Sequence, residues 1–462
     1  MSEREGAAVI AYDRLAVERD FADPHGPAAL FASMQRSNDA KRARHADVDW
    51  EGLREQARAI KVFAIANLGE LLRRFEREFQ ARGGTVLWAR TGEEAAGAFL
   101  DICKRHGAAM VVKGKSMVSE EMELNARLER AGIEPVETDL GEFIVQLAGQ
   151  RPSHIIGPAV HLSRQEIGAL FARELQVPYD DDPAALSEIA RRLIRRKYLE
   201  AGIGMTGANF AVAETGTIVV VENEGNGGLS AMAPPVHVAV MGIEKVIPRL
   251  DDLIVFLHLL ARAATGQKLS AYTHLFLGPA AGRSAYCIIV DAGRTGVLAD
   301  EHVRSALHCI RCGACMNVCP IYRRAGGWAY GWVYPGPIGS VLTPAMVGID
   351  KAGELPFAST LCGACRDECP VKIDLPNQLV HLRGEAVEHG GHASRVERFA
   401  VGVWANAMRS STAYRRAVGA ARAGRSIAKL FPWLIKPLRA WTRERELPHV
   451  ARQTFRDWWA SR

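Results

Sequence analysis

Hydrophobic and polar positions along the chain follow two different periods. Between residues 48 and 80, apolar side chains recur at helical spacing with Arg and Glu between them, which predicts an amphipathic helix covering a core. From about residue 84 to 300, short β-branched runs bounded by Gly or Pro alternate with helix-like segments. Strands that alternate with helices usually pair in parallel, so this pattern predicts an α/β fold with a mostly parallel sheet.

The predicted elements divide the chain into four parts. Predicted strands lie at residues 85–89, 108–112, 134–138, 217–222, 237–242 and 285–291, and predicted helices at 93–106 and 119–131. We expect an N-terminal helical cover at 1–83, an α/β domain at 84–300, a cysteine-rich module at 301–390 and a C-terminal tail at 391–462. An α/β segment of about 210 residues is long enough to bury its own core.

Charge is unevenly distributed along the chain, whose formal net charge is +6. Residues 391–462 carry 15 Lys and Arg against 4 Asp and Glu, a net +11, which leaves the first 390 residues at −5. A basic tail on a near-neutral body indicates an anionic partner or the inner face of the membrane, and not a nucleic-acid-binding protein. The alternative is that the tail packs over the α/β domain. Aromatic residues that tolerate half-buried interfaces are interleaved with the basic ones: Trp404, Trp433, Trp441, Trp458 and Trp459.

The N-terminal residues have neither the basic region nor the apolar core of a secretory signal. No uninterrupted apolar run approaches the ~20 residues that span a bilayer. The sequence therefore predicts a cytoplasmic protein with reduced thiols. Clustered cysteines then indicate metal or redox ligands and not disulfides.

Seven of the nine cysteines lie in two related motifs. The first, Cys309-Ile-Arg-Cys312-Gly-Ala-Cys315-Met-Asn-Val-Cys319-Pro, matches the bacterial ferredoxin run C-x2-C-x2-C-x3-C-P at every position. In two-cluster ferredoxins the first three thiolates of this run bind one iron–sulfur cluster, and the fourth binds the other. The sequence therefore predicts an α-helical two-cluster module.

The second motif, Cys362-Gly-Ala-Cys365-Arg-Asp-Glu-Cys369-Pro, repeats the end of the same pattern. Crossed ligation then assigns four of the seven cysteines to one cluster and three to the other. Cluster one receives Cys309, Cys312, Cys315 and Cys369, and cluster two receives Cys319, Cys362 and Cys365.

Cluster two is therefore short of one thiolate. Counting back three residues from Cys362 places Ser359 at the missing position. Cluster one is expected to be [4Fe-4S]. Cluster two is expected to be either [3Fe-4S] or a [4Fe-4S] cubane whose fourth iron carries Ser359, water or an exogenous ligand. The open or three-iron site is favoured, because a serine alkoxide is an uncommon ligand.

Structural zinc is the alternative cofactor, since two C-x2-C pairs can build one zinc site. Zinc sites stop at four thiolates and explain neither the third cysteine at the same spacing nor the repeated Cys-Pro ending. The two remaining cysteines, Cys103 and Cys287, lie in apolar helix and strand contexts and are expected to be inert core residues.

The α/β domain contains candidate ligand-binding residues. Lys113 and Lys115 follow a predicted strand and precede a helix, but a phosphate loop requires Gly where this chain has Ala109. The two lysines either face an anionic ligand or are solvated loop residues. No G-x-G-x-x-G run follows a first strand, so a dinucleotide site is not indicated.

Two segments rich in small and polar residues, 202–217 and 222–228, are the candidate pocket, because ligands of open α/β sheets lie beyond the carboxyl ends of strands. The alternative is that these segments are long turns. His154 and His161 are candidates for acid–base chemistry. Isolated histidines beside apolar residues are more often packed structural groups, which is the favoured interpretation.

A set of segments resembles the lactate utilization protein B family. They are Lys113-Gly-Lys-Ser-Met, Glu137-Thr-Asp-Leu-Gly-Glu, Pro152-Ser-His-Ile, the run 207–217, Val221-Glu-Asn-Glu-Gly-Asn-Gly, Gly242-Ile-Glu-Lys, both cysteine motifs, Gly336-Pro-Ile-Gly and Phe455-Arg-Asp-Trp-Trp. Gly228 departs from the family pattern, which has Arg after Gly-Asn-Gly, and this weakens an anion-binding role for that loop. The three-cysteine second motif is similar to that of the family.

The resemblance implies a LUD domain similar to the CoA-transferase and ribose-phosphate-isomerase fold, followed by the two-cluster module. It also implies an iron–sulfur electron-transfer subunit in the oxidation of L-lactate to pyruvate, acting beside sister proteins. Catalytic residues are unknown in such a protein. The alternative function is an oxidoreductase whose own α/β pocket binds the hydroxy acid or an acyl ligand. That oxidation needs a two-electron acceptor, and the sequence shows no flavin or nicotinamide site, which favours electron transfer.

Overall fold

A parallel sheet forms the centre of the fold. The computed structural model describes residues 10–13, 25–389, 391–392, 395–430 and 453–462. Its strands are β1 Thr85–Ala89, β2 Met110–Lys113, β3 Glu134–Glu137, β4 Ile203–Gly207, β5 Phe210–Val212, β6 Thr217–Glu222, β7 Val236–Gly242, β8 Val246–Ile247, β9 Tyr272–Phe276 and β10 Ser284–Val290. Six of them form an all-parallel sheet in the order β1-β10-β7-β4-β2-β3. The described chain is thus α/β with a parallel sheet, as the alternating pattern predicted.

The central strands are buried on both faces. Every residue of β7 is buried, as is every residue of β10 after Ser284. Strands covered on both faces are expected to be continuous apolar runs rather than alternating ones. This is why 237–242 and 285–291 were recognisable in the sequence as strands.

A second, four-stranded sheet has the order β8-β5-β6-β9. β5 and β6 form an antiparallel hairpin, and β9 pairs antiparallel with β6. The strand predicted at 217–222 therefore belongs to this sheet and not to the parallel one. The alternative of a long turn across 202–217 is wrong, because β4 and β5 both lie within this segment. At Gly204 a Cβ would lie 1.5 Å from the Ser230 carbonyl oxygen, so close packing explains the small residues.

Several helices begin at side-chain caps. Thr91 accepts a hydrogen bond from the Glu94 amide at 3.1 Å, and Ser163 and Glu166 form a capping box. The helix predicted at 119–131 is two helices, separated at Glu123 with φ 49°. Up to residue 200 the helices are α1 His25–His45, α2 Trp50–Ala66, α3 Leu68–Ala81, α4 Gly92–Arg105, α5 Met117–Glu121, α6 Leu124–Arg130, α7 Leu140–Leu147, α8 Arg164–Leu175 and α9 Pro183–Glu200.

Among the later helices, the two that contain motif cysteines, α13 (Ala314–Val318) and α17 (Ala364–Asp367), are short. They are α10 Asn226–Met232, α11 Asp252–Thr265, α12 Arg294–Ala299, α13 Ala314–Val318, α14 Tyr322–Ala325, α15 Gly336–Val347, α16 Ile349–Ala352, α17 Ala364–Asp367, α18 Leu375–Glu388, α19 Arg395–Met408, α20 Ser411–Leu430 and α21 Phe455–Ala460. Single turns of 3-10 helix lie at Ile243–Lys245, Arg304–His308, Trp328–Tyr330 and Leu355–Phe357.

One hydrophobic core joins the α/β part to the cysteine-rich part. Phe75 of α3 and Phe256 of α11 belong to the same buried cluster as Val341 of α15 and Leu379 of α18. The chain divides into two compact units, residues 1–392 and 393–462. The sheets, the cysteine motifs and the helices α1 to α18 all lie in the first.

The second unit contains α19, α20 and α21. On α19, Val396, Phe399 and Trp404 are exposed. Trp433 and Trp441 of the predicted docking tail lie outside the described residues. Within the described residues, we find no helix with the length and apolar character needed to span a membrane.

Candidate metal centres and adjoining cavity

The first cysteine motif forms a loop that turns back on its own sulfur. Arg311 has φ 60° and Gly313 has φ 74°, so two residues of the loop adopt left-handed conformations before α13 begins. The Arg311 amide nitrogen lies 3.4 Å from Cys309 Sγ and donates to it. Gly removes the steric cost of a left-handed residue, which explains the glycine between Cys312 and Cys315.

The second motif repeats this conformation residue by residue. Leu361 has φ 54° and Gly363 has φ 88°, and α17 follows as α13 does in the first motif. The Leu361 amide donates to Ser359 Oγ at 3.1 Å, as the Arg311 amide does to the sulfur of Cys309. Ser359 therefore occupies the backbone position that corresponds to Cys309.

Four cysteines line one cavity. Cys309, Cys312 and Cys315 of the first motif meet Cys369 of the second there, and the rest of the wall is largely apolar, including Ile155, Ile338 and Leu375. Burial and neighbouring Cys309 and Cys369 raise the pKa of the Cys312 thiol to about 12. Burial and then Cys309 raise the pKa of Cys369 to about 11. Buried thiols crowded in this way ionise readily only when a cation is bound among them.

The other three motif cysteines form a neighbouring group. Burial, followed by Cys319 and Cys362, raises the pKa of Cys365 to about 12. Burial and Cys362 likewise raise the pKa of Cys319. Cys362 differs because it is exposed, and a hydrogen bond from Thr360 lowers its pKa. The thiols at this group thus extend from the interior to the surface.

Helix α2 holds the second motif in place. Arg54 Nε donates to the Cys369 carbonyl oxygen at 3.0 Å. Lys372 forms ion pairs with Glu51 at 2.6 Å and with Glu55 at 2.7 Å. The amphipathic helix predicted at 48–80, which is α2 and α3 in the structure, therefore contacts the cysteine motif as well as the α/β core.

Buried ion pairs connect the parallel sheet to the first cysteine motif. Arg294 Nη2 lies 2.6 Å from Glu121 Oε1, and Arg294 Nε lies 2.7 Å from Glu244 Oε2. Arg311 Nη2 lies 3.2 Å from Glu244 Oε1, and the Tyr334 hydroxyl donates to Glu121. Burial raises the pKa of Glu244, but Arg294 and Arg311 outweigh this effect and lower it to about 2. Glu244 is therefore ionised at neutral pH.

A second cavity, of about 300 Å³, lies at the carboxyl edge of the parallel sheet. Residues that follow β2 and β4 line it, together with the end of β6 and the start of α10, where the candidate pocket was predicted. Arg311 and Cys312 also line this cavity, so it adjoins the four-cysteine cavity.

The predicted lysines have different environments. Lys113 is buried and pairs with Glu137 at 2.6 Å, so it is neither solvated nor available to a ligand. Lys115 lines the cavity at the sheet edge, and its ammonium group donates to the Ile156 carbonyl oxygen at 2.7 Å.

The two candidate histidines are packed structural groups. The Ile156 and Gly157 amides both donate to Nδ1 of His154, and burial lowers the pKa of His154 to about 3. His161 bonds to Ser153 and Gln150, and burial lowers its pKa to about 4. Both rings are neutral at pH 7, and neither lines the cavity at the sheet edge.

The two cysteines outside the motifs are fully buried in the hydrophobic core. Burial raises the pKa of Cys103 to about 12 and raises the pKa of Cys287 further. Thiols of this kind are unreactive.

Sequence reasoning did not identify Lys245, Arg294 or Tyr334 as site residues. Lys245 and Tyr334 line the cavity, and Arg294 is fully buried beside it. The only signal was the segment Gly242-Ile-Glu-Lys, which contains Glu244 and Lys245.

Among the described residues, no three His, Cys, Asp or Glu side chains converge on the position of one metal ion.

Three family models match successive parts of the chain. The LUD domain matches residues 72–295, the 4Fe-4S dicluster domain matches residues 305–373, and the C-terminal domain of lactate utilisation protein B matches residues 380–462. The parallel sheet and the paired cysteine motifs are thus those of a LUD-domain protein with a 4Fe-4S dicluster module.

Relatives of known family align with most of the chain. Lactate utilization protein B of Bacillus cytotoxicus is 41% identical over 424 residues, which are 89% of this chain and 88% of the relative. Lactate utilization protein B of Oceanobacillus iheyensis is 41% identical over 428 residues, which are 90% of this chain and 88% of the relative. The chain belongs to the lactate utilization protein B family.

Among solved structures, a DUF162 family protein from Deinococcus radiodurans matches 48% of this chain and 98% of its own. Its sequence identity is 15% and its TM-score is 0.28, which is too low to establish a common fold.

Proposed function

We propose that this protein is an iron–sulfur electron-transfer component in the oxidation of L-lactate to pyruvate, acting with partner proteins. The observation that carries the proposal is the convergence of cysteines from two sequence-distant motifs on one buried cavity, in a chain whose relatives are named for lactate utilization. Clusters bound by thiolates carry single electrons, with potentials tuned by burial and hydrogen bonds.

We assign cluster one, a [4Fe-4S] centre, to Cys309, Cys312, Cys315 and Cys369. These four residues line the same cavity, and most of the wall around them is apolar. We assign Cys319, Cys362 and Cys365 to cluster two. Besides burial, Cys319 and Cys362 both raise the pKa of Cys365, and this proximity supports the grouping.

Cluster two has Ser359 at the position of its fourth ligand. The left-handed residue at 361 and the amide bond to Ser359 Oγ reproduce the surroundings of the first ligand of cluster one. We propose that the fourth iron there is bound by Ser359, water or an exogenous ligand in a [4Fe-4S] state, and is lost in a [3Fe-4S] state. Exposure of Cys362 makes this the cluster that is open to oxidants and partners.

The alternative is that the α/β part is itself the oxidoreductase and binds the hydroxy acid or an acyl ligand. The cavity at the sheet edge favours it, because Cys312 lines that cavity and connects it to cluster one. Such an enzyme would need a two-electron acceptor in addition to the clusters. We further propose that the α/β part is similar to the CoA-transferase and ribose-phosphate-isomerase fold, and its six-stranded parallel sheet supports this proposal.

We propose a cytoplasmic protein whose basic tail docks onto a sister protein or onto the inner face of the membrane. Exposed apolar residues on α19, including Phe399 and Trp404, support an interface. The net +11 of residues 391–462 predicts that the partner surface is anionic.

Electron paramagnetic resonance of the anaerobically purified protein tests the proposal. Two cluster signals are expected on reduction, together with an iron content that matches two clusters and no bound flavin. L-Lactate should reduce the clusters only when the sister proteins are present. Reduction by L-lactate in the isolated protein would support the alternative function, and a protein without iron would refute both.

A further inference from the structure

Two cationic side chains that line the cavity at the sheet edge have donor groups without a hydrogen-bond partner among the described residues. Arg311 is 8% exposed, and its Nη2 bonds to Glu244, while its Nη1 has no hydrogen-bond partner among the described residues. Its guanidinium carbon lies 4.4 Å from the centre of the Tyr334 ring, which fixes the plane of the group. An unpaired donor on a buried side chain has a free-energy cost that a ligand would remove.

Lys245 is the second such group. It is 9% exposed and lines the cavity, and its ammonium group makes no hydrogen bond or ion pair to any described residue. Glu244 does not form an ion pair with it, since the two oxygens of that carboxylate bind Arg294 and Arg311. Arg311 is paired with Glu244, so Lys245 is the cation at this end of the cavity that has no ion-pair partner among the described residues.

Three acidic residues, Asp139, Glu222 and Glu224, also line the cavity. Asp139 caps helix α7 by accepting a hydrogen bond from the Glu142 amide at 3.1 Å. The Glu222 carboxylate accepts hydrogen bonds from the Gly227 and Gly228 amides and lies 2.8 Å from His274. It therefore shapes the loop before α10. Apolar residues Val240, Leu260 and Ala264 form another part of the wall and offer contact to a carbon skeleton.

We propose that this cavity is a binding site for a small organic carboxylate, with Lys245 and the free Nη1 of Arg311 as its anion-binding groups. A planar guanidinium suits a carboxylate because the two form charge-assisted hydrogen bonds in one plane. The apolar wall selects an organic acid over an inorganic anion. Because Cys312 lines the same cavity, the bound carboxylate places negative charge beside cluster one. This last consequence rests on the proposed cluster assignment, whereas the binding site itself does not.

The test uses the full-length, cluster-loaded protein under anaerobic conditions. L-Lactate and pyruvate are titrated by calorimetry, with inorganic phosphate as the competing anion. Lys245→Met should weaken carboxylate binding by at least about tenfold, because it removes a charge-assisted hydrogen bond. Lys104→Met, on the exposed face of α4, is the matched control and should bind as the wild type does.

A second variant separates binding from folding. Ala264→Leu adds volume to the cavity wall without changing charge, and it should also weaken binding while iron content stays at the wild-type level. In the wild-type protein, the carboxylate should change the line shape of the reduced cluster-one signal.

Either of two results overturns the site: no carboxylate binds at millimolar concentration, or Lys245→Met and Ala264→Leu bind as tightly as Lys104→Met. Phosphate that binds as well as the carboxylates overturns the organic selectivity. A change in the cluster signal of Lys245→Met without any carboxylate binding means that the cations act on the cluster alone, which also overturns it. If carboxylates bind but the sister proteins never reduce the clusters with L-lactate, the electron-transfer proposal fails and this site stands.

Discussion

Arg294 connects two buried carboxylates, and its removal tests how strongly the ion network stabilises the first unit. In Arg294→Met, Glu121 and Glu244 keep their burial, at 2% and 1% exposed, but lose the guanidinium that pairs with both. Removing one partner of a buried pair costs about 3–5 kcal/mol. Arg311 still lies 3.2 Å from Glu244, so we expect the lower value, about 3 kcal/mol.

Urea unfolding of the cluster-loaded protein, followed by circular dichroism and by cluster absorbance, measures this loss. With a slope of about 3 kcal/mol/M or more for a chain of this size, the midpoint should fall by up to about 1 M. The control is Arg90→Met, since Arg90 pairs with Glu94 at 2.8 Å but is 88% exposed. Exposed pairs contribute little to stability, so this control should unfold like the wild type. Equal midpoints for Arg294→Met and Arg90→Met would refute the reasoning.

The same network predicts a pH dependence. Glu244 has a folded pKa of about 2, below the unfolded value of about 4.3, so its contribution is present above the unfolded pKa and is lost as the pH falls toward 2. In Arg294→Met the burial effect is no longer balanced, and the pKa of the carboxyl group rises. The loss of stability in Arg294→Met is then greatest at pH values at which Glu244 is ionised. The difference in urea midpoint between Arg294→Met and the wild type should be larger at pH 8 than at pH 5.5. A larger difference at pH 5.5 would contradict this pH dependence.

Three further outcomes are expected. Cys315→Ser should damage cluster one and Cys319→Ser cluster two, although they are close in sequence; magnetic resonance that shows the same signal lost in both would disprove crossed ligation. Ser359→Cys should slow the appearance of a three-iron signal in air, and an unchanged rate would remove Ser359 from the fourth-ligand position. Truncation after Gly390 should leave a folded, cluster-loaded protein that no longer shows salt-sensitive association with partners or anionic vesicles, whereas loss of clusters on truncation would indicate a structural tail.

Features that depend on neighbouring residues were predictable from the sequence. The strands at 85–89 and 237–242 are apolar runs between turn residues, and the structure has them within one residue. The spacing of the cysteines is dictated by the loop that surrounds a cluster, so the motif itself identified the ligand candidates. Ser359 was recognisable by counting for the same reason.

Features that depend on distant contacts were not predictable. The segment 202–217 contains β4 and β5 rather than a loop, because Gly204 packs against Ser230 in a contact that no local pattern reveals. The bonds from Arg294 to Glu244 and Glu121 join residues 50 and 173 positions apart. A charged residue in such a network has the same local signature as a solvated one. For this reason the sequence analysis did not identify Lys245 and Arg311 as cavity residues.

The shared hydrophobic core constrains how such a protein can be recombined. Val341 and Leu379 pack in the same buried cluster as Phe75 and Phe256, and Arg54 holds the second cysteine motif from outside it. A chimera that transplanted only the cysteine-rich segment onto another α/β scaffold would carry an uncovered apolar face and lose that support. Exchange of the cysteine-rich segment between relatives should therefore succeed only when helices α2 and α3 are exchanged with it. The redox part and the helices that cover it then come from the same protein.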